Sequence, residues 1–113
     1  MASEKRALTC VFRPEKLKST LEMREWFSGS YPRFLEMETL EFKCWWCDQE
    51  RQEWGALYIF KSEEALNEYI NSDVWQKVVP EKYGCVPTWN IVEPGPILSK
   101  KTITKDKDSW ISD

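Results

Sequence analysis

Between Leu40 and Phe60 the chain carries two strand-like segments joined by a short polar loop, and both are apolar on either side. Successive side chains of a strand point to opposite faces, so a strand that covers a core from one side alternates apolar and polar residues. In Leu40-Glu41-Phe42-Lys43-Cys44-Trp45-Trp46-Cys47 the even positions are all apolar, and from Trp45 onward the odd positions join them. The second segment, Trp54-Gly55-Ala56-Leu57-Tyr58-Ile59-Phe60, has no charge. Strands of this kind belong to a sheet covered on both faces. A chain of 113 residues makes one domain of few layers, so its own helices can cover one face only. A second subunit or a ligand is expected on the other.

Composition narrows the functional classes. Aromatic residues make up 14% of the chain and seven of them are Trp, which suits a core, an interface or a flat ligand. The net charge is -3, so the basic footprint of a nucleic-acid binder is missing and no nucleic-acid partner is expected. Met1-Ala2-Ser3-Glu4-Lys5-Arg6 is polar and no signal-type apolar stretch follows. No apolar run approaches the roughly 20 residues of a membrane span. A cytoplasmic protein without a membrane partner is the expectation. The four cysteines, Cys10, Cys44, Cys47 and Cys85, fall in strand-like segments, as small buried thiols do in a reducing compartment. Histidine is absent, which removes Ser-His-Asp and Cys-His catalysis, histidine metal sites and a histidine haem ligand. Neither a metal nor a cofactor is expected.

Along the chain, Ala7 to Arg13 reads as a first strand. Pro14 suits the first turn of a helix running to about Ser28, with Leu17, Leu21, Met23 and Phe27 as its apolar stripe. Gly29 marks its stop and Tyr31-Pro32 a turn. After the hairpin, Ser62 caps a second helix whose inward face is Ala65, Leu66, Tyr69 and Ile70. Asp73 caps a short helix from Val74 to Val79, ended by Pro80. Cys85 to Glu93 forms a fourth strand, at a sheet edge or with a bulge, because Pro87 has no N–H to donate. The domain is expected to span 1–94, and 95–113 to form a tail, flexible in part or docked on a partner through Ile97-Leu98 and Trp110-Ile111. The order strand, helix, strand, strand, helix, strand predicts an α+β, ferredoxin-like βαββαβ sandwich with a four-stranded antiparallel sheet.

At Leu40-x-Phe42-Lys43-x-Trp45, a hairpin loop of matching length, Gly55-x-x-Tyr58-x-Phe60 and Tyr69, the chain resembles the YdhR-like monooxygenase family of the dimeric α+β barrel superfamily. That resemblance runs from about Leu40 to Ile70 and implies a homodimer with sheet packed on sheet. It also implies a pocket between sheet and helices that takes a small aromatic or polyketide-like substrate. In the anthrone-oxidising relatives oxygen is added there without flavin, haem or metal. An activated substrate of this sort reduces oxygen itself, while the protein positions the ring, assists deprotonation and excludes water.

For such a pocket the candidate lining residues are Trp45, Tyr83 and Trp89. Tyr58 and Lys43 are candidates for proton transfer, and Asn90 for holding a carbonyl or oxyanion. Arg33 would pair with an acidic group, on a substrate or on the protein surface. Each has a plainer explanation: Trp45 and Trp89 as core or dimer contacts, Lys43 as a solvated strand residue. The same fold order also admits a ligand-binding, isomerase or cyclase protein without oxygen chemistry. It admits an RNA-recognition domain too, whose third-strand glycine-aromatic motif Gly55-Ala56-Leu57-Tyr58-Ile59-Phe60 faintly matches, though without its leading basic residue. The Cys44-Trp45-Trp46-Cys47 spacing suggests a redox or zinc pair, but residues three apart on a strand are about 10 Å apart and on opposite faces. A disulfide needs Cα atoms within about 7 Å, so two independent thiols are expected.

Overall fold

Ser19 decides where the first helix begins. Its hydroxyl accepts from the Glu22 N–H while the Glu22 carboxylate accepts from the Ser19 N–H, a reciprocal pair that satisfies two otherwise orphaned donors. The computed structural model describes residues 4–98, and in it this helix, α1, runs Thr20–Leu35. That corrects the expected span from Pro14 to Ser28: Gly29, Tyr31 and Pro32 lie inside the helix rather than after it. Pro32 removes one N–H near the C-terminal end, and the helix closes normally behind it, with the Glu36 N–H donating to the Pro32 carbonyl. The buried stripe is Met23, Phe27, Ser30 and Phe34; Leu21 points to solvent and Leu17 is buried ahead of the helix.

The strands are β1 (Arg6–Phe12), β2 (Leu40–Asp48), β3 (Glu53–Phe60) and β4 (Thr88–Val92), in the order β2-β3-β1-β4 with every neighbour antiparallel. Strand β4 is an edge, one of the two placements expected, but it starts at Thr88 rather than Cys85, so Pro87 precedes the ladder. Helix α2 (Glu63–Ile70) has the expected cap, with the Ser62 hydroxyl accepting from the Ala65 N–H, and buries Ala65, Leu66, Tyr69 and Ile70. A π-helical turn (Val74–Val78) and helix α3 (Val79–Tyr83) follow. Pro80 therefore opens α3 instead of ending a helix, since the first turn needs no N–H from it. Asp73 makes no side-chain cap. Gly84 closes α3 in the left-handed conformation that favours glycine. Together these elements form the α+β ferredoxin-like sandwich.

Leu8, Cys10, Phe12, Trp54, Ala56, Tyr58 and Phe60 meet the helices, and the core lies between them. The other face carries Ala7, Val11, Gly55, Leu57 and Ile59 at its centre, by the alternation of β1 and β3. A bulge between Leu40 and Phe42 shifts β2, so Lys43, Trp45 and Cys47 pair with Tyr58, Ala56 and Trp54 and share their helix-covered face. Phe42, Cys44 and Trp46 fall on the open face. There the Trp46 indole lies against Gly55, where a Cβ would come within 2.6 Å of the ring and 2.1 Å of the Cys10 carbonyl. Ile97 and Leu98 are exposed, and the remainder of the expected tail, with Trp110 and Ile111, lies outside the described residues. No described helix is long and apolar enough to cross a membrane.

Gly29 sits in the exposed middle of α1 with nothing within 4 Å of a built Cβ. Gly29→Ala should therefore stabilise the protein by about 0.5–1 kcal/mol, read as a higher urea midpoint with an unchanged slope.

Candidate functional site

Lys43 is the residue around which the helix-covered face is organised. The β2 bulge aims it inward, where its Nζ lies 3.3 Å from the Phe34 ring centroid, 4.2 Å from that of Tyr58 and 4.4 Å from that of Trp45. The ammonium position is boxed by three aromatic faces, a favourable arrangement for a cation once it is out of water. Nζ donates to the Tyr58 hydroxyl at 3.1 Å, and that hydroxyl lies 3.4 Å from the Tyr69 hydroxyl. A hydrogen-bonded string thus runs from β2 through β3 to α2. Among the described residues no carboxylate forms an ion pair with Lys43.

The electrostatics follow from this setting. Burial, joined by repulsion from Arg33 and Lys82 and opposed only by Cys10, holds the Lys43 amine well below its ordinary value of 10.5. Burial also pushes the Tyr58 phenol well above its usual value, and Tyr69 up to about 12. Both phenols keep their protons at neutral pH. Cys10 is likewise pushed by burial to about 11 and stays a thiol, so its charge does not develop to hold a proton on Lys43. A readily deprotonated amine beside two reluctant phenols is a base next to two hydrogen-bond donors.

Of the expected site residues, the structure brings Lys43, Tyr58 and Trp45 together. Trp45 also stacks near Phe27 and Tyr31. Trp89 reaches the group only through Trp75, whose ring lies 6.3 Å from both Trp89 and Tyr58. Tyr83 packs with Phe12, Trp26 and Trp54, a group joined to Trp45 through Phe27. Asn90 pairs with Thr9 on the open face and is not brought to the amine, because strand alternation turns it away from Trp89. Phe34, Tyr69 and Trp75 belong to the group without having been expected in a site. Tyr69 was visible as an inward helix residue; Phe34 was hidden by the early end assigned to α1. Arg33 lies over the Phe34 ring at 4.8 Å and has no ion pair among the described residues.

Two alternative chemistries lose their geometry. Tyr58 and Phe60, the aromatic positions of the RNA-type motif, are buried under the helices and cannot stack on bases. Cys44 and Cys47 lie on opposite faces of β2 as free thiols, and no group of three metal-ligating side chains occurs among the described residues. An open hollow of about 740 Å³ at one end of the sheet is lined by Lys5, Glu41, Arg6 and Glu93 among others. Most of its charges pair with one another, Lys5 with Glu41 and Arg6 with Glu4 and Glu93.

No family model and no curated relative matches this sequence. Solved structures do. A conserved protein from Methanosarcina mazei Go1 is similar at TM-score 0.60 and 16% identity, over 81% of this chain and 94% of that one. A protein of unknown function from Nitrosomonas europaea is similar at TM-score 0.60 and 13% identity, over 88% and 95%. SnoaB, a cofactor-independent oxygenase from Streptomyces nogalater, is similar at TM-score 0.53 and 8% identity, over 91% and 100%. At these identities the likeness is one of fold.

The unfolded chain keeps the Lys43 proton up to 10.5, and the folded chain releases it at lower pH. Between the two values the unfolded state binds more protons, so this residue's contribution to stability rises with pH and is lost as pH falls through the folded value. Lys43→Met should remove that dependence and raise stability near neutral pH by about 1–2 kcal/mol, measured by urea unfolding across pH 6 to pH 10.

Proposed function

We propose that this chain is a YdhR-like homodimeric enzyme of the dimeric α+β barrel superfamily. It adds oxygen, without a cofactor, to a small aromatic or polyketide-like substrate held between sheet and helices. The observation that carries the reading is the Lys43 amine, uncompensated by any described carboxylate and hydrogen-bonded to Tyr58 within aromatic walls. Neutral Lys43 takes the proton from the activated carbon of an anthrone-like ring, leaving a delocalised carbanion. The carbanion reduces and bonds oxygen, and loss of water from the resulting hydroperoxide leaves a ketone. Tyr58, still protonated, donates to the oxygen that acquires negative charge. Trp45 and Phe34 hold the ring flat and keep water away. The resemblance to SnoaB in fold supports the class of chemistry without assigning it.

The open sheet face supports the dimer. Phe42 and Val92 are 40% and 42% exposed there, beside exposed Cys44 and half-buried Trp46 and Leu57. A second copy laid on that face would cover an apolar surface that the chain's own helices leave uncovered.

With an anthrone as substrate, oxygen uptake above the uncatalysed rate should fall about 100-fold in Lys43→Met. Product formed equally fast under strict anaerobiosis would reject oxygen chemistry and favour an isomerase or cyclase, which proton transfer at Lys43 would also serve. Light scattering at micromolar concentration should give a dimer mass for the native chain and a monomer mass for Leu57→Glu. A monomeric native chain would sink the face-to-face assembly.

A further inference from the structure

The acid–base role proposed for Lys43 does not exhaust what its surroundings allow. The groups facing the amine are Tyr58 from β3, Tyr69 from α2 through Tyr58, Arg33 from α1, Cys10 from β1 and Lys82 from α3. Two are cations, three keep their protons, and none is a carboxylate. With no counter-ion among the described residues, only ring faces and the Tyr58 hydroxyl support an ammonium there. The single hydrogen bond to Tyr58 uses one N–H and leaves the lone pair of the neutral amine free. Desolvated lysines of this kind attack carbonyl carbons.

We propose that Lys43 is a nucleophilic amine that condenses reversibly with an aldehyde or ketone group of an aromatic ligand, forming an imine inside the aromatic box. This rests on the reading of the Lys43–Tyr58 cluster as the ligand site, but not on oxygen chemistry. The Nζ lone pair forms a bond to the carbonyl carbon as the carbonyl oxygen takes the Tyr58 proton, which one amine proton replaces. The carbinolamine then breaks its C–O bond; the oxygen leaves as water with the second amine proton, and C=N remains. No electrons are gained or lost. Tyr58 stands 3.1 Å from the nitrogen, placed to relay both protons, and Tyr69 steadies it from behind. Phe34 and Trp45, whose ring centroids lie 3.3 and 4.4 Å from Nζ, would shield the C=N bond from the water that returns an imine to its parts.

The test is reductive trapping of the native protein at pH 7 with 2-naphthaldehyde and sodium cyanoborohydride, mapped by peptide mass spectrometry. Lys43 should carry the naphthylmethyl group at least about tenfold faster than the exposed Lys16, Lys61 and Lys77. Tyr58→Phe, with folding checked by circular dichroism, should slow trapping about tenfold without moving the label. Label spread evenly over the exposed lysines overturns the proposal. In parallel, 2-naphthol, which has no carbonyl, is titrated by tryptophan fluorescence. If it binds in a Lys43-dependent way while Lys43 is never trapped, the imine is excluded and the ligand site survives. If neither probe engages, both readings fall together.

Discussion

One inserted residue in β2 sets the character of both faces of the sheet. Leu40 pairs with Phe60 and Phe42 with Ile59, so Glu41 is the extra residue that turns the parity of the strand. Leu40 packs against the helices before the bulge, and Lys43, Trp45 and Cys47 do so after it. In an unbulged strand these two sets would lie on opposite faces, because the side-chain period is two. The lysine would then stand in the open while Phe42, Cys44 and Trp46 competed for the core. The bulge places an amine where an aliphatic residue would ordinarily go, and the aromatic walls follow from that placement.

Those walls compensate in part for burying the amine. Three rings within 4.4 Å of Nζ replace hydration with quadrupole attraction, and the Tyr58 oxygen accepts one hydrogen bond. None of this equals a carboxylate, so the proton is weakly held. A chain under selection for stability alone would place an apolar residue here, since a well-packed hydrophobe costs less than a buried charge. The proposed proton-transfer role of Lys43 rests on this placement of a basic group among aromatic rings.

On the reverse side the same hairpin presents Phe42, Cys44, Trp46 and Leu57. Gly55 is required there because the Trp46 indole and the Cys10 carbonyl already occupy the space of a side chain. The motif from Gly55 to Phe60 is thus two requirements on one strand: a missing side chain for the open face, and two rings for the covered one.

Much of this was legible from residue order. The apolar pattern located β1, β2 and β3 to within a residue and β4 to within three, and the Ser62 cap and the inward set Ala65, Leu66, Tyr69 and Ile70 marked α2. These features are local, decided by periodicity and caps. The first helix was misplaced because Gly29 and Pro32 read as breakers, whereas the Ser19–Glu22 box and the burial of Phe34 hold the helix through them. The site was half visible: Lys43, Tyr58 and Trp45 were nameable as candidates, but their meeting was not. Sequence by itself determined that a sheet apolar on both sides must exist. Only the tertiary structure decided which side each residue of β2 faces, because a bulge is chosen by pairing with β3 and leaves no mark in composition or periodicity.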